Sequence, residues 1–285
     1  MNWSLAKMWS VLLLVLHTLW SFGQSSTYTN RIGMTFVLIK PGSMVVGRFQ
    51  PPYPKPPRSD SATQKKVDGM QWTQKDYQLA DKLVKQDAQS GFLVKIDHPF
   101  YIGKFEVMQA QWKQVMGSNP SAFQGSKVND KADEHPVEQV TWQDTQKFLA
   151  RLNAMDKEHH YRLPTEFEWE YAARAEATDD IPWKTIWASA QMGLMTTSVV
   201  GQKAPNAWGL YDMLGNVWEW VQDVYNEKLF ADSPSVPNRS FRPGNQHVLK
   251  GASFVGDVKN ATYMTHAAGP ANGWDVGFRV VMEVK

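Results

Sequence analysis

None of the 285 residues is a cysteine. This excludes disulfides, a thiolate nucleophile, thiolate metal ligands and a lipid-carrying N-terminal cysteine. No block of basic residues stands out and the formal charge is only +2, so nucleic acid is not expected as a partner. The histidines lack the H-E-x-x-H spacing of a metal site, and no repeat of fixed period is found. The longest apolar run, "MWSVLLLVLHTLW" (8–20), is broken by His17 and is too short for a good membrane span.

That run, with Lys7 before it and Ser21-Phe22-Gly23 after it, reads as a signal peptide over 1–23 cut before Gln24. An uncleaved anchor is the second reading. Export to the periplasm or outside the cell follows, with no membrane span after cleavage. Removing 1–23 removes only Lys7 and takes the formal charge from +2 to +1. Hydrophobic residues make up 42% of the chain, with 13 Trp, 13 Phe and 9 Tyr, enough to build a core under much irregular backbone. The pattern along the chain predicts α+β rather than alternating βαβ units.

After a linker at 24–31, "IGMTFVLIKPGSMVVG" (32–47) reads as a hairpin turning at Pro41-Gly42. Residues 48–92 look like an insertion: a loop with five prolines at 51–57, then a helical stripe over 73–89. A short helix is predicted over 108–117, ended by Gly117. A strand followed by a helix is predicted over 135–156. Thr141 with Asp144, and Thr165 with Glu168, have capping spacing. "NAWGLYDMLGNVWEWVQD" (206–223) is unusual: three tryptophans, a tyrosine and three carboxylates on one short stretch.

Several pieces, in order, carry a resemblance: "FYIGKFEVMQAQW", "HPVEQVTWQDTQKFL", "YRLPTEFEWEYAAR", "GLYDMLGNVWEW", "VLKGASF" and "GFRVV". Over 32–285 the chain resembles the formylglycine-generating enzyme family, the sulfatase-modifying factors. The resemblance implies a single compact α+β domain, distantly similar to C-type-lectin-like folds. Family enzymes that make formylglycine hold copper with two cysteines near a "GGS" segment. Those positions here match Gly256 and Ala261, so no copper is expected. The second glycine of "GGS" is Ala252, and arginines usual further on are Thr265 and Gly269. Ser253 is kept.

The resemblance also implies one structural calcium, held by side-chain oxygens of Asp212 and Glu219 and by the carbonyls of Gly215 and Val217. Oxygen donors on a short loop suit calcium. From the residues alone, Asp212 and Asn216 can equally be turn formers while Glu219 pairs with an arginine or lysine. A second family calcium site is lost, since Thr185 and Met192 stand at its ligand positions. Ser253 and Trp218 match positions lining the family's active site. Asp257 and His266 are nearby polar candidates for acid–base work beside Ser253.

Two functions remain open. One is an oxidoreductase-like maturation enzyme with altered chemistry, as in cysteine-poor relatives of pyoverdine maturation, acting on a small molecule or peptide. The other is a binding or scaffold module for an envelope protein.

Overall fold

The computed structural model describes residues 26–46, 91–128, 131–177, 183–226, 246–258, 263–269 and 273–284, with Ala261 and a few positions between 73 and 82. The expected signal peptide and most of the 48–92 insertion lie outside the described residues. Thr73 opens a helical segment there, its Oγ1 accepting from the Asp76 amide at 3.2 Å.

Five strands form the main sheet: β1 (Thr27–Thr29), β2 (Thr35–Ile39), β5 (Phe100–Gly103), β11 (Val281–Glu283) and β6 (Tyr161–Arg162), in the order β1-β2-β5-β11-β6. All its pairings are antiparallel. Residues 27–29 are thus the edge strand of this sheet, not part of a linker. Both faces of β2 are covered, as strand alternation requires. Phe36 joins one apolar cluster and Val37 and Ile39 another.

Helices α1 (Gln109–Met116) and α2 (Trp142–Met155) cover the Phe36 face, where the Trp112 and Phe148 rings stack with centroids 5.3 Å apart. Helix α3 (Glu166–Arg174) contributes Trp169 to the other cluster, together with Ile186 of α4 (Trp183–Ser189). Gly117 ends α1 with φ 82°. Thr141 and Thr165 open α2 and α3 through capping boxes, accepting from the amides of Asp144 and Glu168. Local chemistry fixes these boundaries, because the hydroxyl satisfies an amide that the first turn leaves unpaired.

A second sheet runs β10 (Val276–Gly277), β7 (Trp218–Val224), β8 (His247–Lys250), β9 (Ala267–Ala268), with β10 parallel to β7. The third is a ribbon of β3 (Gly42–Val46) and β4 (Phe92–Ile96). The expected hairpin over 32–47 is therefore corrected: β2 and β3 follow one another but sit in different sheets. Gly42 turns the chain beneath Tyr171, where a Cβ would stand 2.0 Å from the phenol oxygen. The strand expected at the start of 135–156 is also absent; Met108 and Pro136 make only an isolated bridge there. Among the described residues, no helix is long and apolar enough to cross a membrane.

Candidate functional site

The acid-rich turn before β7 is a buried ionic assembly. Asp212 and Asn216 adopt φ 55° and 57°, the left-handed region that Asp and Asn tolerate best after glycine. Between them, Gly215 is required, since a Cβ would meet the Gln191 carbonyl oxygen at 2.2 Å. Asn216 Nδ2 donates to Glu106 at 2.6 Å, and the Val217 amide to the same carboxyl at 3.1 Å.

Glu219 is held by Arg279, whose Nε and Nη2 each stand 2.6 Å from one carboxylate oxygen. The Trp169 indole donates to it at 2.7 Å. Arg279 is fully buried and also donates to the carbonyls of Gly103 and Tyr211. Burial disfavours its charge, but the Glu219 carboxylate outweighs this and raises its pKa.

Of the expected calcium ligands, Asp212 fits a cation. Its Oδ2 accepts from the Gly201 amide at 2.7 Å, while its Oδ1 is buried with no partner. Burial, with Glu219 adding repulsion, pushes its carboxyl up to about 6. Glu219 does not fit: both of its oxygens are engaged and a guanidinium already balances its charge. For that residue the arginine pairing holds.

The second assembly surrounds Ser253. Chain leaving β8 passes Gly251 (φ 90°) and Ala252 (φ 64°), and this left-handed pair turns Ser253 inward. Ser253 Oγ donates to Asp275 Oδ2 at 2.8 Å. The Asp275 carbonyl accepts from the Trp218 amide at 2.8 Å, so Ser253 and the Trp218 backbone are both tied to Asp275. Phe123, Phe254 and Trp274 pack beside it with centroids 5.3–5.9 Å apart. Trp274 and Val255 are exposed while Ser253 is buried, so they mark the outer rim.

Glu138 stands next to this assembly, wholly buried. One oxygen accepts from the Phe123 amide at 2.8 Å; the other, Oε2, has no partner. Burial, with Asp275 adding to it, pushes its carboxyl up to about 7. Sequence reasoning missed Glu138, Asp275 and Arg279. Arg279 had a signal: a lone charge inside "VGFRVV" demands a buried counter-charge.

His266 is engaged away from Ser253, which corrects that part of the expectation. Asp257 is exposed. His266 Nδ1 is 2.6 Å from Glu166, and its Nε2 is 3.2 Å from the Asn226 carbonyl. Its ring stacks on Tyr225. It belongs to a buried network at the start of α3 in which Lys250 lies 3.2 Å from Glu170 and 3.8 Å from Glu166. Burial opposes ionisation of Glu166, yet His266 and Lys250 hold its pKa below the ordinary value. Asp223, which accepts from the Glu166 amide at 2.6 Å, is pushed up to about 6 by burial and by Glu166.

The thiol positions hold no ligand. Gly256 donates its amide to the Ser253 carbonyl, and Ala261 is buried. Elsewhere, Asp156, Glu158 and His159 bring ligand atoms within 4.8 Å of one another, but Asp156 is already 2.6 Å from the Tyr161 hydroxyl and 3.0 Å from His159. A polar hollow of about 440 Å³ lies beside α1, lined by Gln109, Lys113, Asn119 and Lys131; Ser253 is not part of its lining.

Residues 22–284 match the family model described as "Sulfatase-modifying factor enzyme 1-like domain". The chain belongs to this family. The sulfatase-modifying factor domain here is 31% identical over 240 residues to the chaperone protein LppX of Paenibacillus barcinonensis, covering 64% of this chain and 79% of that one. It is 32% identical over 164 residues to the formylglycine-generating enzyme of Streptomyces coelicolor, covering 50% of each. The chain therefore spans about half the length of the formylglycine-generating enzymes it matches. Among solved structures, PvdO from Pseudomonas aeruginosa superposes with a TM-score of 0.63 at 19% identity, covering 92% of this chain and 99% of that one. Treponema denticola variable protein 1 gives 0.64 at 22%, covering 90% and 98%. At these identities the structural likeness concerns the fold.

Proposed function

We propose that this protein is an exported maturation factor whose site is the Ser253–Asp275 pair beside Trp218, with a chemistry other than copper-dependent formylglycine formation. The observation that carries this reading is the site itself. Ser253 is kept, buried and hydrogen-bonded to a carboxylate, while glycine and alanine occupy the positions of the copper-binding thiols. A soft copper ion has no thiolate there to bind. A small molecule or peptide is the substrate this reading calls for, in an oxidoreductase-like reaction.

The test is complementation of a deletion strain by Ser253→Ala and by Trp218→Ala, each checked for an unchanged melting temperature. Loss of the strain's rescued phenotype supports the reading. Full rescue by both folded variants overturns it. The second reading, a non-catalytic module for an envelope partner, draws on the lost thiols and on a relative named as a chaperone. Under that reading both variants rescue, and replacing exposed residues of the 48–92 segment abolishes rescue.

We also propose one structural calcium at Asp212, completed by the carbonyls of Gly215 and Val217, with Glu219 left to Arg279. The motive is the unpartnered Asp212 Oδ1. Chelation should lower the melting temperature, and calcium should restore it in the wild type but not in Asp212→Asn. An identical melt with and without chelator removes the ion from the account.

A further inference from the structure

Glu138 is an expensive residue to keep. Its Oε2 has no partner although the side chain is wholly buried, and a buried acceptor left unmade is destabilising. Its neighbour Gln139 carries a second cost, with φ 63°, a conformation that a glutamine adopts rarely. That strained residue clamps the Glu138 segment to the 273–275 turn, the Gln139 amide donating to the Gly273 carbonyl at 3.0 Å. Ser121 Oγ accepts from the Glu138 amide at 3.2 Å on the other side. Strain and unsatisfied polar groups that persist together mark a place where a ligand completes the structure.

The chemistry of the neighbourhood has one sign. Asp275 acts on Glu138 as a like charge, and the cation that offsets it, Lys127, sits on an exposed turn. The Ser253 hydroxyl proton goes to Asp275, so its oxygen is left with acceptor capacity only. Glu138 Oε2, the Asp275 carboxylate and Ser253 Oγ are then three acceptors in one neighbourhood. A primary ammonium carries three N–H donors and no acceptor. The adjoining wall is aromatic, with Trp274 half open to solvent, which favours a cation joined to an apolar body.

We infer that Glu138, Asp275 and Ser253 form an amine-binding site, which takes a primary ammonium group carried on an apolar or aromatic ligand. This deepens the reading of the Ser253 site given above and rests on it.

The test uses the full chain, with phenethylammonium as probe and 2-phenylethanol as its neutral counterpart. Titration is followed by ligand-observed NMR of the probe. Saturable binding of the ammonium on the order of 1 mM is expected for so small a ligand, with 2-phenylethanol at least roughly 10-fold weaker for want of a charge-assisted bond. Glu138→Gln should weaken the ammonium by about 10-fold or more while melting no lower than the wild type. A structural glutamate would instead lose stability on substitution. Trp274→Ala, at a half-exposed ring on the rim and checked for an unchanged melting temperature, should also weaken it and decides the matter if Glu138→Gln fails to fold. Equal binding of the alcohol, unchanged affinity in the variants, or no saturation overturns the inference. If Ser253→Ala abolishes rescue but phenethylammonium does not bind, the site stands and the ligand class falls. If phenethylammonium binds and Ser253→Ala rescues fully, the ligand class stands and the proposed function falls.

Discussion

Arg279 is the residue on which the second sheet and the main sheet are tied together. It joins Glu219 of β7 to the Gly103 carbonyl of β5 and the Tyr211 carbonyl. Replacing it with methionine leaves Glu219 buried and uncompensated, which should cost about 3–5 kcal/mol. Adding Glu219→Gln to Arg279→Met should recover part of that loss, because the stranded charge is gone. Urea denaturation of the two single variants and the double variant checks this through a thermodynamic cycle. Equal destabilisation by the double and by Arg279→Met alone would deny that the charge is the cause. At this scale the sequence was half legible. Ser253, Trp218, Asp212 and Glu219 stood out because they lie in motifs with a fixed spacing. Asp275, Glu138 and Arg279 did not, because their importance lies in partners at least 15 residues away in the chain.

Elements divide in the same way between local and distant causes. The starts of α2 and α3 could be read directly, since a capping box is completed within four residues. Thr165→Ala removes an acceptor from the Glu168 amide, while the Glu168 carboxylate keeps the backbone amide of residue 165 and its two 2.7 Å contacts with Arg162. A loss of about 1 kcal/mol is expected, and Thr165→Ser should restore most of it. Chemical denaturation measures both. Strand pairing was not legible. The apolar alternation of 35–46 is present in β2 and β3, but it cannot say that the first pairs with Phe100–Gly103 and the second with Phe92–Ile96. Nor did "HPVEQV" form a strand, because its Glu138 and Gln139 are pulled toward Phe123 and Gly273 instead.

For the whole molecule, the buried carboxyls set the dependence of stability on pH. Glu138 rises from 4.5 to about 7 and Asp223 from 3.8 to about 6 on folding. The folded state keeps protons that the unfolded chain has already released. Their contribution is therefore complete below pH 4 and is lost as pH climbs through 6 to 7. Asp156 falls to about 2, and its contribution is present above pH 4 and lost in stronger acid. Stability should peak near pH 4 and fall toward pH 8 by an amount on the order of 5 kcal/mol. Thermal melts from pH 4 to 8 test this, and Glu138→Gln should flatten the neutral limb. A flat profile in the wild type would mean that these carboxyls ionise freely. The single α+β domain expected from the sequence is the one the chain adopts. Its three-sheet arrangement was beyond reach, because each sheet gathers strands from separate parts of the chain.

One consequence of the β3–β4 ribbon concerns what the domain can carry. Val46 and Phe92 are directly opposed partners, so everything between them departs from and returns to a single spot. Closing such a detour costs little more as it lengthens. A short glycine-containing turn spliced from Val46 to Phe92 should leave a stable core, and a foreign module could be housed at the same doorway. The ribbon thus separates the evolution of the passenger from that of its host: one can be rewritten freely while the sheets, the ionic tie and the serine site stay as they are.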